Sequence, residues 1–218
     1  MSSKNVKALL FAEFARVSKA LGSGNRLELL EFLAQGERSV DALAKLSGLS
    51  VANTSRHLQV LRQAGLVAAR KEGLFVFYSV SGTGVITLLS SLQEVAQHNV
   101  AEVTRLVDTY LTSKDSLEPV STSELMARIR NGLVTVVDVR PKEEYAAGHL
   151  PGAINIPLAD FEKNLKTLPR DREIVAYCRG PFCLLSFEAV AQLRKKGLNA
   201  RRLETGFPEW KVAGLPVE

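Results

Sequence analysis

The hydrophobic pattern of this 218-residue chain changes character at a polar stretch, 112–122, and the change divides the sequence into two halves. Before that stretch, apolar residues recur with helical spacing; after it, short apolar runs alternate with helical stretches. The first pattern predicts a mainly α domain over 1–112. The second predicts an α/β domain with a largely parallel sheet over 119–218, and residues 113–118 are expected to form a linker.

Composition restricts the expected partners and compartment. The net charge of +5 and a pI near 9.3 favour a polyanionic partner. No apolar run approaches membrane-spanning length, and the first residues do not form a signal-peptide core. We therefore expect a cytoplasmic protein without a membrane partner. In a reducing compartment, two cysteines favour a catalytic or redox role over a structural disulfide.

Two short helices in the first half are separated by a glycine-containing turn. The helical patterns cover 39–47 and 51–64, with the turn at 48–50, which is the signature of a helix-turn-helix. Gly65 is expected to end the second helix, and residues 66–78 are typical of a β-hairpin with basic residues at its tip. The sequence therefore predicts a winged helix-turn-helix with this hairpin as the β-wing.

The second of these helices carries side chains that can read DNA. Helical periodicity predicts a row facing the core: Val51, Thr54, Leu58 and Leu61. Asn, Arg and Gln side chains, which can bond base edges in the major groove, face outward, and no acidic residue occurs from position 42 to 71. A solvated basic face is the alternative. The predicted DNA-binding residues are Asn53, Ser55, Arg56, Gln59, Arg70 and Lys71.

Two strings, NRLELL at 25–30 and SRHLQVLRQAGLV at 55–67, together with the wing, resemble the ArsR-type winged-helix repressors over about residues 5–111. The resemblance implies a homodimer, built on the first and last helices, that binds a double-stranded DNA operator. An apolar stripe independently provides a face for such a contact: Val85, Leu88, Leu89, Leu92, Val95, Ala96, Val103, Leu106, Val107 and Tyr110.

Many members of that family sense metals through cysteines or clustered histidines. This half of the chain contains no cysteine and only two histidines, His57 and His98. His57 lies beside the core-facing row, and a lone His98 is more often a surface residue than a ligand. We therefore expect no metal site and no cofactor; the alternative is a two-histidine site spread across a dimer.

The two cysteines of the chain flank a tight loop, Cys178-Arg179-Gly180-Pro181-Phe182-Cys183, that follows an apolar run and precedes a helical pattern. A strand that ends in such a loop and leads into a helix directs backbone N–H groups and the helix dipole at the first sulfur. These effects, with the charge of Arg179, favour a reactive thiolate at Cys178. The alternative is that both cysteines are small buried residues.

The second half resembles a rhodanese domain over about residues 120–217. The resemblance is carried by VDVR at 137–140, EYAAGHLPGAINIP at 144–157, the cysteine loop and GFPEW at 206–210. It implies that Cys178 takes up a sulfane sulfur and holds it as a persulfide. It also implies that Asp138, Arg140 and His149 shape the neighbouring loops.

The loop departs from the rhodanese pattern at its last position, where Cys183 replaces a residue that often helps to bind the donor anion. A second thiol there could resolve a persulfide on Cys178 into a disulfide or a longer sulfur bridge. Related folds act as phosphatases or arsenate reductases, but their loops are one residue longer and end in arginine. The corresponding residue here, Leu184, is apolar.

Together, the two halves predict a DNA-binding transcriptional regulator. Its operator affinity would depend on persulfidation or oxidation of Cys178 and Cys183 by a sulfane-sulfur donor or an oxidant. Two alternatives stay open. One is a sulfurtransferase that turns over thiosulfate or polysulfide through a Cys178 persulfide, and the other is an inactive rhodanese fold used as an interaction module.

Overall fold

The computed structural model describes residues 3–115, 117–165 and 168–218. The chain forms two compact units that divide between Leu89 and Ser90. This division lies inside a single helix, α5 (Thr83–Asn99). Within the described ranges, no helix is both long enough and apolar enough to cross a membrane.

The first unit is a winged helix-turn-helix. Its elements before α5 are α1 (Ser3–Leu21), α2 (Gly24–Ala34), β1 (Arg38–Ser39), α3 (Val40–Ser47), α4 (Val51–Gln63), β2 (Val67–Glu72) and β3 (Phe75–Val80). The strands form an antiparallel sheet in the order β1-β3-β2, and the β2–β3 hairpin pairs Val67 with Val80 and Glu72 with Phe75. The predicted helix-turn-helix and wing are confirmed.

Serine caps and one glycine set the turn between α3 and α4. Ser39 Oγ accepts a hydrogen bond from Ala42 N at 3.2 Å, and Ser50 Oγ accepts one from Asn53 N at 3.3 Å. Gly48, at φ 68°, ends α3 in the left-handed region that favours glycine. Leu43 in α3 and Leu58 in α4 are fully buried in one core. The core and the caps together fix the position of α4.

The apolar stripe from Val85 to Tyr110 does not lie on one continuous helix. α5 ends at Asn99, Val100 has a non-helical conformation (φ −111°, ψ 99°), and α6 (Ala101–Val107) follows, leading into a π-helical segment (Asp108–Thr112). The Asn99 amide donates to Val95 O at 2.8 Å. This side-chain bond satisfies a carbonyl at the end of α5. Such bonds compete with the backbone bonds that would continue a helix, and hydrophobic periodicity does not reveal them.

The rest of the second unit is an α/β domain. It contains α7 (Thr122–Arg130), β4 (Val134–Asp138), α8 (Lys142–Ala146), β5 (Ile154–Asn155), a 3₁₀ turn (Leu158–Asp160), α9 (Phe161–Asn164), β6 (Glu173–Tyr177), α10 (Leu184–Lys195), β7 (Ala200–Arg202) and α11 (Phe207–Val212). The strand order is β5-β4-β6-β7, and every pair is parallel. The predicted parallel sheet is confirmed. Its central strand β6 is almost wholly apolar and buried, as expected for a strand covered on both faces.

Part of the predicted linker is anchored to the second unit. Asp115 is only 3% exposed; its Oδ1 lies 2.6 Å from Arg194 Nη1 and its Oδ2 lies 3.5 Å from Arg202 Nε. Leu111 is also buried. The sequence predicted a linker here because an aspartate in a polar stretch is usually exposed to solvent. Its arginine partners lie about 80 residues away, so the sequence does not show that it is buried.

Candidate functional site

Helix α4 presents one polar face and one buried face. Thr54, Leu58 and Leu61 are fully buried, whereas Asn53, Arg56 and Gln59 are exposed; Ser55 is half-buried. The prediction that Val51 faces the core is wrong, since its side chain is 50% exposed. Val51 is the first residue of α4 and lies beyond the edge of the core that the later turns contact.

The wing carries Arg70 and Lys71 on β2, both exposed. Arg70 is held by two carboxylates, because its Nη2 lies 2.6 Å from Glu37 Oε2 and its Nη1 also bonds Glu72. Hydrogen bonding to Glu37 and then to Glu72 raises the pKa of Arg70. Both acids lie just outside the acid-free stretch 42–71, so the sequence did not reveal that this charge is shared.

The cysteine loop connects β6 to α10. Cys178 follows the last residue of β6, and Cys183 is the N-cap residue of α10. A disulfide joins them, with their Cα atoms 6.2 Å apart. Cys183 N donates to Gly180 O at 3.2 Å. Cys178 is 1% exposed and Cys183 8%, and both belong to the apolar core between the sheet and α10.

Two residues at the start of α11, its N-cap Gly206 and its first residue Phe207, contact the cysteine loop. Phe207 N donates to Cys178 O at 3.1 Å. A Cβ atom on Gly206 would lie 2.4 Å from the backbone of Arg179 and Gly180. Only glycine allows these two segments to approach so closely.

Arg179 is fixed by a buried partner. Its Nη2 lies 2.8 Å from Glu144 Oε1 and its Nε lies 3.0 Å from Glu144 Oε2. Glu144 has no exposed surface, and the Arg179 side chain is 14% exposed. The positive charge that the sequence assigned to the stabilisation of a Cys178 thiolate is therefore shared with a carboxylate.

A second buried pair organises the strand ends next to the loop. Asp138 and Arg140 are fully buried, with Arg140 Nη2 2.6 Å from Asp138 Oδ2 and 2.8 Å from Gly148 O. Tyr177 donates its hydroxyl to Asp138 and accepts from Leu150 N at 3.1 Å. Burial, followed by the Asp138 carboxylate, raises the pKa of Tyr177. These bonds tie the ends of β4 and β6 to the 148–150 loop.

His149 lies in that loop beside Tyr145. The two rings stack with their centroids 3.7 Å apart, and His149 N donates to Glu218 O at 2.9 Å. In the described ranges, no group of three or more His, Cys, Asp and Glu side chains is arranged to hold a metal ion.

Sequence reasoning missed Glu144, Tyr177 and Gly206 as parts of this site. Glu144 contacts a residue 35 positions away, and Tyr177 one 39 positions away. Glu144 and Gly206 do lie within the strings that carry the rhodanese resemblance. Their presence there is the signal that could have found them.

Comparison with known proteins identifies both units. The model of the "Bacterial regulatory protein, arsR family" matches residues 23–69, and that of the "Rhodanese-like domain" matches residues 121–213. HTH-type transcriptional regulator Rv0324 of Mycobacterium tuberculosis is 45% identical over 212 residues, covering 97% of this chain and 93% of that protein. A sulfurtransferase of Allochromatium vinosum is 33% identical over 85 residues, covering 38% of this chain and 78% of that protein.

One similar solved structure is the homodimeric winged helix-turn-helix DNA-binding domain (fragment 1–100) of a possible ArsR-family transcriptional regulator from Mycobacterium bovis. It is 42% identical with a TM-score of 0.43, and the match covers 46% of this chain and 91% of that one. The full-length similarity to Rv0324 and the two domain matches agree with each other. The chain belongs to the family of HTH-type transcriptional regulators in which an ArsR-type winged helix precedes a rhodanese domain.

Proposed function

We propose that this regulator binds operator DNA as a homodimer and that a sulfane-sulfur donor or an oxidant changes its DNA affinity by linking Cys178 to Cys183. The observation that carries the proposal is the disulfide between the two ends of a rhodanese loop in a DNA-binding regulator. A Cα separation of 6.2 Å lies within the range that a disulfide allows.

The reaction balances without a further reagent when the donor is a polysulfide or a persulfide. The Cys178 thiolate attacks the outer sulfane sulfur, and the donor leaves as the species one sulfur shorter. The Cys183 thiolate then attacks Cys178 Sγ and releases hydrogen sulfide, which leaves a disulfide. The sulfane sulfur is reduced to sulfide, and the two thiols supply the electrons. A thiol reductant reverses the change.

The exposed face of α4 supports DNA recognition. Asn53, Arg56 and Gln59 are side-chain types that bond base edges, and they share the face opposite the buried row. In a dimer, two such helices would read half-sites about 34–36 Å apart.

Helix α1 supports the dimer. Four large apolar side chains on it are about half exposed or more: Leu9 at 51%, Leu10 at 52%, Phe11 at 60% and Phe14 at 59%. A contiguous apolar surface of this kind on a soluble domain is typical of an interface. A second copy of α1 is the partner that a symmetric homodimer provides.

A series of hydrogen bonds supports communication between the loop and α5. Phe207 N donates to Cys178 O at 3.1 Å, and the neighbouring Gly206 N donates to Glu209 Oε2 at 3.0 Å. Ser90 Oγ, on α5, lies 3.2 Å from Glu209 Oε1. Because α5 begins at Thr83 within the first unit, a shift of the loop has a bonded route to that helix.

The test is an operator titration of the full chain by fluorescence anisotropy, first reduced with a dithiol and then treated with inorganic polysulfide. Mass spectrometry after thiol alkylation reports the bridge in the same samples. We expect the affinity to change as the bridge forms and to recover on reduction. Cys183→Ser should keep one added sulfur on Cys178 without a bridge. An affinity that stays constant while the bridge forms completely would refute sulfur control.

A sulfurtransferase is the second candidate, supported by the similarity to the Allochromatium vinosum sulfurtransferase. Cys183 opposes this function because it removes the persulfide that an acceptor must receive. Thiosulfate or polysulfide turnover with cyanide as the acceptor distinguishes the two functions. Fast turnover by the parent chain with unchanged DNA affinity would favour the enzyme.

A further inference from the structure

A cavity of about 510 Å³ lies beside the cysteine loop, and the described residues that line it all belong to the second unit. Pro181 and Phe182 form its loop side, and Ser90 and Glu94 on α5 form another wall. The volume falls within the range of small-molecule sites, about 300–1,000 Å³. The sulfur proposal assigns no ligand to this cavity.

Arg202 on β7 lines the cavity with a charge that its surroundings only partly balance. Its guanidinium stacks on Phe187, with the carbon 4.3 Å from the ring centroid, and its side chain is 16% exposed. Its buried Nε has no hydrogen-bond partner among the described residues. The carboxylate of Asp115, 3.5 Å away, also binds Arg194 at 2.6 Å, and the other carboxylate near Arg202, Glu204, is exposed to solvent, so the charge of the guanidinium is only partly balanced.

A guanidinium whose positive charge is only partly balanced favours an anionic ligand. A carboxylate in the cavity would add a negative charge beside this guanidinium, and a bidentate pair of the two groups is among the stronger protein hydrogen bonds. Burial lowers the pKa of Arg202. A bound anion would oppose that shift.

The rest of the lining favours a ligand that carries a positive charge as well. Three glutamates line the same cavity: Glu94, Glu204 and Glu209. Glu209 already accepts bonds from Gly206 N and Ser90 Oγ, whereas Glu94 and Glu204 are exposed side chains. Like charges repel a dianion such as thiosulfate, so the ligand needs a cationic group to match the glutamates.

An apolar side of the cavity is formed by Phe182, Val107 and Leu111. We propose that this cavity binds a small zwitterion of the α-amino-acid type with an apolar or thioether side chain. Its carboxylate pairs with Arg202, its ammonium group faces the glutamates, and its side chain contacts the apolar patch next to the cysteine loop. This binding requires no reaction at either cysteine and is independent of sulfur control.

The test uses S-methyl-L-cysteine, whose blocked sulfur cannot react with a thiol or a disulfide. Calorimetric titration of the full chain should show one saturable site per chain. Two analogues separate the charges: 3-(methylthio)propanoate lacks the ammonium group and 2-(methylthio)ethylamine lacks the carboxylate. Each should bind at least about tenfold more weakly, because each leaves a charged partner unmatched.

Arg202→Met keeps a long side chain over Phe187 and removes the charge, so it should weaken binding at least about tenfold. Arg201→Met is the matched control. Arg201 directly precedes Arg202 on β7 but pairs with Glu173 at 2.8 Å and does not line the cavity. Should Arg202→Met fail to fold, Glu94→Gln, at an exposed helix position, tests the contact between the ammonium group and the glutamates. It should weaken the binding of S-methyl-L-cysteine but not that of 3-(methylthio)propanoate. The proposal is overturned if no saturable binding occurs, if the analogues bind equally well, or if these two variants bind like the parent.

Discussion

The DNA-binding face expected on α4 differs from the cysteine loop in whether its functional side chains take part in packing. On α4, Arg56 and Gln59 project from a helix whose other face already supplies the packing, so either can change without disturbing the fold. In the loop, Cys178 and its supports Glu144 and Gly206 are themselves buried. The reactivity of the loop is therefore coupled to the stability of the second unit. The comparison predicts that substitutions on the exposed face of α4 separate binding from folding, whereas substitutions at the buried supports of the loop do not.

The largest effect is expected for Asp138→Asn. This change removes one charge of a fully buried pair and leaves Arg140 without its counter-ion, for an expected loss of about 3–5 kcal/mol in the free energy of unfolding. Urea denaturation of the reduced chain measures it. Tyr177→Phe, which removes the hydrogen bond to the same carboxylate and the one accepted from Leu150 N but no charge, should lose about 1–3 kcal/mol. Equal losses in the two variants would refute the role given to the ion pair.

Gly206→Ala should come next. Its Cβ would lie 2.4 Å from the backbone of Arg179 and Gly180, so the loop or α11 must move, at about 1–3 kcal/mol. Gly180→Ala is the matched control on the other side of this contact, since a Cβ there meets no atom within 4 Å. The ratio of the two unfolding midpoints tests the close approach. A Gly206→Ala variant as stable as the parent would contradict it.

Arg56→Ala examines the first unit in the same way. We expect specific operator binding to weaken by about 1–3 kcal/mol with no loss of stability, because the side chain is exposed and opposite the core. Anisotropy titrations with operator and with unrelated DNA separate specific from general binding. Unchanged operator affinity would remove α4 from the role of recognition helix, and a stability loss above about 0.5 kcal/mol would break the comparison itself.

The smallest effects belong to the wing. Lys71→Ala should weaken binding to all DNA and lower the slope of log affinity against log salt by about 1. Arg70→Ala should change that slope less, since Glu37 and Glu72 already share the arginine charge. Measuring both slopes between low and moderate salt shows which side chain contributes more charge to DNA binding. A larger slope change for Arg70 than for Lys71 would show that those ion pairs open on DNA.

Periodicity and turn residues were sufficient to predict the two folds. The alternation of helical and strand patterns predicted the parallel sheet, and the turn at Gly48 predicted the helix-turn-helix. Ser121 is a further example of such a local feature, since its side chain accepts a hydrogen bond from Glu124 N at 3.3 Å and caps α7. These features depend on residues within a few positions of one another, which a sequence displays directly.

Features that depend on distant residues were not predictable in this way. The pairing of Arg179 with Glu144 and of Asp115 with Arg194 joins residues 35 and 79 positions apart. The break at Val100 coincides with a side-chain bond from Asn99 to Val95 O, which periodicity does not display. Sequence reasoning therefore located Cys178 and Cys183 but not the contacts that determine their environment.

The burial of the bridged cysteines sets a limit on how fast the bridge can be removed. In this form Cys178 is 1% exposed and Cys183 8%, so a thiol reductant meets the sulfur atoms only when the loop opens. At low reductant concentration the rate of reduction rises in proportion to concentration; at high concentration it reaches a ceiling equal to the rate of opening. A bridge that has formed therefore persists through a rise in reductant that is shorter than the opening time.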